Sequence, residues 1–209
     1  MPTPSKGSTG WAVSDTLDTL LEDIRACRAC AEAMPHPPRP VIQAGASARI
    51  MIVGQAPGTR VHASGRPFTD PSGDRLREWM QVDEATFYDE SRIAIVPMGF
   101  CFPGLDEKGG DLPPRRECAP LWQERVRTQL PNVALTLLIG QYAQRFYLRS
   151  QAHKTLTDTV KNAAQYFPGF LPLPHPSWRN NAWLRKNPWF EAKILPMLRC
   201  RIDQVLSPS

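Results

Sequence analysis

The sequence has no run of about eighteen or more apolar residues, so no segment reads as a membrane-spanning helix. Met1 to Gly10 lack the basic and apolar regions of a secretory leader, and the expectation is a soluble, cytoplasmic protein. Cysteine is scarce and odd in number, five in 209 residues, which argues against a secreted disulfide framework and puts metal ligation or reduced thiols first. No internal repeat and no heptad pattern is present, so solenoids and coiled coils drop out. Charge of one sign is not in large excess: a net +5 suits a polyanionic partner without requiring one. The length fits one domain, 1–209, with a full core and a loose N-terminal tail over residues 1–14, where Pro, Ser, Gly and Thr dominate. A monomer is expected.

Proline, by contrast, is abundant at 22 residues and falls mainly in connections. Apolar spacing starts at Leu17, Leu20, Leu21 and Ile24 and predicts a helix from about Asp15 to Met34, with Asp15 as its cap. Pro35, Pro37, Pro38 and Pro40 forbid regular structure, so residues 35–48 are expected to run as an extended surface connection. Ile50–Val53, Ile93–Val96, Leu135–Ile139 and Phe170–Leu173 are short apolar runs bounded by breakers, as strands buried on both faces are. Amphipathic segments lie near Asp74–Met80, Cys118–Gln129, Gln141–Arg149, Lys154–Ala164 and Trp189–Val205. The alternation predicts a three-layer α/β/α sandwich around a central, mainly parallel four-stranded sheet.

Open α/β sheets bind ligands at the carboxyl ends of their strands, where two turn-forming clusters stand out. Gly54-Gln55-Ala56-Pro57-Gly58 follows the first strand; its glycines let backbone amides approach a ligand, and Pro57 fixes the turn. Alone it is an ordinary strand-to-helix turn. Gly65-Arg66-Pro67-Phe68 comes next, followed by Ser72-Gly73, and the Phe68 ring is placed to stack on a flat heterocycle unless it is a plain core aromatic. His175, held between Pro174 and Pro176 after the last strand, has a fixed backbone and suits hydrogen-bond donation to charge developing on a base carbonyl; the competing reading is a structural histidine. His36, His62 and His153 carry no assigned role. Ser177, Trp178, Arg179, Asn180 and Asn181 then form a short polar loop with one large aromatic, as in a wedge that grips a duplex and helps unstack a nucleotide. Arg179, Arg185 and Lys186 are within reach of phosphates, whereas Trp183 and Trp189 read as anchors of the last helix.

Cys27-x-x-Cys30 near the end of the first helix, with Cys101 and Cys118 further on, supplies four thiols in two groups. That set suits a tetrahedral zinc, a cubane iron–sulfur cluster or free thiols, and spacing alone does not separate them. Cys200 reads as a small apolar residue of the last helix.

Taken in order from Cys27 to Ser177, these motifs resemble the uracil-DNA glycosylase superfamily, and within it the iron–sulfur, family 4 type, which carries Cys-x-x-Cys, Gly-Glu-Ala-Pro-Gly, Gly-x-Pro-Phe, two later cysteines and a final His-Pro. The resemblance implies a 4Fe-4S cluster on Cys27, Cys30, Cys101 and Cys118, with zinc or no metal as alternatives. It also implies a flipped base stacked on Phe68 with its O2 facing His175, DNA as the partner, and base excision repair as the setting. Two positions depart from it. Gln55 stands where the family has glutamate, so an amide that can only orient water replaces a carboxylate that can polarise it. Pro97 falls where the family has its base-reading asparagine and offers no side-chain hydrogen bond. Asp70 or Asp74 is a candidate substitute for the missing carboxylate, and Asn180 or Asn181 for the missing amide. The reading is a DNA N-glycosylase that holds the base with Gly54, Ala56, Pro57, Gly58, Phe68 and Pro97, stabilises its departure with His175 and orients water with Gln55. The alternatives are a non-catalytic nucleic-acid binder of the same fold and an iron–sulfur redox protein.

Overall fold

A computed structural model describes residues 16–207 of the chain. Four strands form one parallel sheet in the order β2-β1-β3-β4: β1 is Ile50–Val53, β2 Ile93–Ile95, β3 Leu135–Ile139 and β4 Phe170–Leu173. Ile50 pairs with Ile93 on one side and Leu135 on the other, and Thr136 pairs with Phe170. The four apolar runs become strands because almost every residue in them is buried on one face or the other. Pro172 is tolerated because β4 lies at the sheet edge, where a missing backbone donor is least disruptive.

Alternate strand residues feed two separate cores. Ile50 and Ile52 pack with Leu76, Trp79, Phe190, Leu198 and Ile202, from α3 (Pro71–Met80) and the C-terminal segment ending in α9 (Leu195–Leu206). Met51 and Val53 pack on the opposite face with Leu20, Ile24, Trp122, Val126 and Ala143, from α1 (Leu17–Ala26), α5 (Cys118–Thr128) and α6 (Gly140–Leu148). Helices therefore cover both faces, giving the expected α/β/α sandwich. The remaining helices are short: α2 (Thr59–Ser64), α4 (Glu84–Phe87), α7 (Leu156–Lys161) and α8 (Asn181–Lys186).

Several boundaries differ from the expectation. The first helix stops at Ala26, not Met34, because Cys27 turns to extended geometry and a separate short turn spans Ala31–Ala33. Thr16, whose side chain accepts from the Thr19 amide at 3.3 Å, caps it; Asp15 and the 1–14 tail lie outside the described residues. The last helix begins at Leu195, preceded by a wide turn over Phe190–Ile194. Trp183 and Trp189 pack edge-on at 5.7 Å beneath it, and Trp183 Nε1 donates to Thr157 Oγ1 at 2.8 Å.

Candidate active site

β1 ends at Val53, and backbone pairing continues beyond the strand ends. The Val96 amide donates to the Ile52 carbonyl at 2.8 Å, Met98 to Gly54 at 2.9 Å and Gly99 to Gln55 at 3.0 Å. This zipper sets Pro97 beside the Gly54 turn. Pro97 is buried, and its carbonyl accepts from Gln123 Nε2 at 2.7 Å, while Gln123 Oε1 accepts from the Tyr147 hydroxyl at 2.7 Å.

Phe68 arrives from the connection between α2 and α3 with a left-handed backbone, φ 54°, a costly conformation for a non-glycine residue. The Tyr88 hydroxyl holds it, donating to the carbonyls of Pro67 at 2.9 Å and Phe68 at 3.0 Å. The Arg66 guanidinium lies 3.4 Å over the Tyr88 ring and pairs with Glu84 at 3.1 Å. A side chain at Gly73 would overlap the Phe68 carbonyl, so only glycine admits this approach. At the other end of the residue, the Phe68 ring packs on Gly54, where an added Cβ would sit 3.5 Å from Cζ.

His175 follows β4. The Ser177 amide donates to its Nδ1 at 3.2 Å, which makes Nδ1 the acceptor and leaves the hydrogen of the neutral ring on Nε2. Burial lowers the His175 pKa from 6.5 against the opposing pull of Asp70, and Arg179 lowers it further, so the ring is neutral at pH 7. Asn180 Nδ2 donates to the His175 carbonyl at 2.7 Å, and Arg75 ties the same loop through Ser177 O at 3.2 Å and Asn181 Oδ1 at 2.9 Å.

These elements line one open cleft at the carboxyl edge of the sheet, its walls including Gly54, Gln55, Ala56, Pro57, Gly58, Phe68, Pro97 and His175. Asp70 also lines it and accepts from the Ser72 hydroxyl at 2.7 Å, whereas Asp74 is exposed and paired with Arg77 away from it. Gln55 donates its amide hydrogen to the Leu112 carbonyl at 3.2 Å. The sequence reading missed Asp111, a further carboxylate of the cleft; its one local signal was the turn chemistry of Gly109-Gly110 just before it.

On the rim, Trp178 is 70% exposed, with the Arg179 guanidinium 5.6 Å from its ring. Arg179 Nη2 donates to the Gly109 carbonyl at 2.9 Å. Asn180 Nδ2 is engaged by the His175 carbonyl and Asn181 Oδ1 by Arg75, while Asn181 remains exposed. Arg185 and Lys186 are exposed on α8.

Cys27, Cys30, Cys101 and Cys118 line a second, small pocket, walled by Pro38, Pro40, Phe100, Leu121 and Trp122. The Phe100 amide donates to Cys118 Sγ at 3.4 Å. Burial pushes the Cys101 thiol up to about 11 and Cys118 up to about 12, which argues against nucleophilic thiolates. Among the described residues no three His, Cys, Asp or Glu side chains form a group able to hold a metal ion. Cys200 is separate and exposed on α9.

A family model described as the uracil DNA glycosylase superfamily matches residues 42–199, a span that takes in Gln55, Phe68, Cys101, Cys118 and His175 but begins after Cys27 and Cys30. The chain is also similar to a type-4 uracil-DNA glycosylase of Sulfurisphaera tokodaii, at 23% identity over 155 residues, covering 70% of this chain and 64% of that relative. It thus spans less than two thirds of the relative's length. No helix among the described residues is long and apolar enough to cross a membrane. With the match covering most of the sequence, and a parallel sheet carrying the matched motifs at its carboxyl edge, the chain belongs to the uracil DNA glycosylase superfamily.

Proposed function

We propose that the protein hydrolyses the N-glycosidic bond of a deaminated or damaged base flipped out of DNA. The observation that carries this reading is the convergence of Phe68, His175 and the Gly54–Gly58 turn, from separate parts of the chain, on one cleft with a neutral histidine at its base. Phe68 offers an aromatic face for an extruded base, whose unstacking costs a few kcal/mol by order of magnitude. His175 donates from Nε2 to a base carbonyl. A hydrogen bond there strengthens as negative charge collects on the departing base, and so favours the transition state over the ground state. The Pro97 wall, which has no donor, admits more than one base, so the substrate class is wider than uracil.

DNA approaches along the 177–186 edge, where exposed Trp178 acts as the wedge and Arg179, Arg185 and Lys186 supply positive charge. A 4Fe-4S cluster held by Cys27, Cys30, Cys101 and Cys118 fits the donor set: four thiols around one mostly apolar cavity. A single tetrahedral zinc on the same four thiols, or reduced thiols without a metal, are the alternatives. A bound cluster would tie the end of α1, the loop after β2 and the start of α5 together, and takes no part in bond cleavage here.

The test is release of free base from duplex and single-stranded oligonucleotides carrying uracil, hypoxanthine or xanthine, with wild type beside His175→Ala. Abasic product from wild type and a large loss in the variant support hydrolysis. Salt-dependent binding with no base released from any substrate favours the non-catalytic binder, a reading that gains from the engaged amide of Gln55. Reversible reduction of a cluster, indifferent to DNA, favours the redox reading.

A further inference from the structure

We infer that Asp111 is the carboxylate that activates water in this cleft, and that Gln55 is the positioning residue that holds it there. The inference rests on the glycosidic-hydrolysis reading and identifies the group in this chain that takes the role of the glutamate absent at position 55. Asp111 ends a small hairpin: Leu105 pairs with it in antiparallel fashion, and the turn between them is locked by Gly110 and Lys108 amides donating to Asp106 Oδ1 at 2.7 and 2.9 Å. One cleft residue and one rim residue fasten this hairpin to the sheet edge. Gln55 donates to the carbonyl of Leu112, the residue next to Asp111, at 3.2 Å, and Arg179 donates to the Gly109 carbonyl at 2.9 Å. The residue that stands in place of a carboxylate in the turn after β1 thus supplies the donor that docks another one.

The Asp111 carboxylate lies against Gly58; a Cβ added there would be 3.6 and 3.7 Å from its two oxygens. It accepts no hydrogen bond from another side chain or backbone amide among the described residues, so its oxygens are open to water. Asp70, the other carboxylate of the cleft, is already engaged by the Ser72 hydroxyl. The charged or titratable groups facing Asp111 are Arg179, Asp70 and Asp106, with His175 across the cleft. Burial raises the Asp111 pKa, Asp70 and Asp106 raise it further, and Arg179 opposes them, a balance that suits a group that takes up a proton.

The reaction balances on one water. Its oxygen bonds to the sugar C1′ as the C1′–N bond breaks, and the bonding pair leaves with the base as an anion hydrogen-bonded to His175. One water proton passes to Asp111 and from there to solvent, while solvent returns a proton to the base.

The test is single-turnover excision across a pH series by wild type, Asp111→Asn, Asp111→Glu, Asp70→Asn and Gln55→Ala, on whichever base wild type releases. Duplex affinity and melting temperature are measured in parallel. Asp111→Asn is expected to lose about 10²–10⁴-fold in rate. It should also lose the acidic limb of the wild-type pH profile, with duplex affinity and melting temperature unchanged. Asp111→Glu should recover part of the rate together with an acidic limb, which a purely structural role for the side chain would not give. Gln55→Ala is expected to fall about tenfold with the limb retained, as the hairpin loosens. Asp111→Asn working within about threefold of wild type, or losing rate with its acidic limb intact, overturns the inference while leaving hydrolysis standing. Asp70→Asn abolishing the limb in its place does the same. A wild type inert on every base overturns the functional reading and this inference together.

Discussion

Replacing Gly73 with alanine tests whether the backbone of α3 sets the aromatic wall of the cleft. The new Cβ would overlap the Phe68 carbonyl oxygen and stand 2.8 Å from its carbon and 2.9 Å from Phe68 Cβ. Carbon atoms in contact rest about 3.5 Å apart or more, so Phe68 must retreat by at least about 0.7 Å. Its room to do so is limited, because its carbonyl shares the Tyr88 hydroxyl hydrogen with Pro67 and its ring rests on Gly54. Overpacking costs about 1–3 kcal/mol, and a shared hydrogen bond, counted once, adds about 0.5–1.5 kcal/mol. The sum, about 1.5–4.5 kcal/mol, lowers the melting temperature of a chain this size by roughly 3–18 °C. A displaced stacking face also slows base release by about 10–100-fold, since reaction rates respond steeply to sub-ångström misplacement. Thermal unfolding and single-turnover excision of Gly73→Ala are the assays. A variant that melts with wild type and excises at the wild-type rate would refute the packing argument, and with it the assignment of Gly73 as the residue that admits Phe68.

His175→Ala should lose about 10²–10³-fold in excision, the usual effect of removing one donor to a developing anion, while His175→Gln, which keeps an N–H donor, should lose less. Because burial depresses the His175 pKa, the unfolded chain takes up its proton first on acidification. This histidine's contribution to stability is therefore present above pH 6.5 and declines as pH falls from there through the lower folded value. Titration of its ring by NMR at or above 6.5 would contradict the assignment of a neutral donor. Gln55→Glu should lower activity, since a carboxylate cannot donate to the Leu112 carbonyl and would repel Asp111; increased excision would sink the hairpin account. Gln123→Leu strands the Pro97 carbonyl and the Tyr147 hydroxyl in a buried setting and should destabilise by about 1–3 kcal/mol in chemical unfolding. Cys101→Ser combined with Cys118→Ser should purify without the brown colour, iron and sulfide of wild type, and colourless wild type would count against the cluster.

The sheet was legible because a strand buried on both faces must be apolar throughout: Ile50–Val53 and Leu135–Ile139 match the structure residue for residue, and Ile93–Val96 ends one residue early. The short helices α2, α4 and α8 were not legible, since six or fewer residues carry too little periodicity and fold by packing on neighbours. The overlong first helix arose because Ala, Arg and Glu beyond Ala26 favour helix, while the turn at Cys27 that joins it to the thiol cavity is set by tertiary structure. Within the site, Phe68 and His175 announce themselves by flanking proline and glycine, which fix backbone direction. Asp111 does not. Its meaning lies in a hydrogen bond between Gln55 and Leu112, 57 residues apart, and no local pattern records that pairing.

The most direct measurement is a crystal structure of the protein with a duplex carrying the excised base on a 2′-fluoro sugar, where the electronegative substituent disfavours the oxocarbenium-like transition state and preserves the complex. The account predicts the base out of the helix, its ring on Phe68 and a carbonyl oxygen within hydrogen-bond distance of His175 Nε2. A base still stacked in the duplex, or seated anywhere other than between Phe68 and His175, would contradict it.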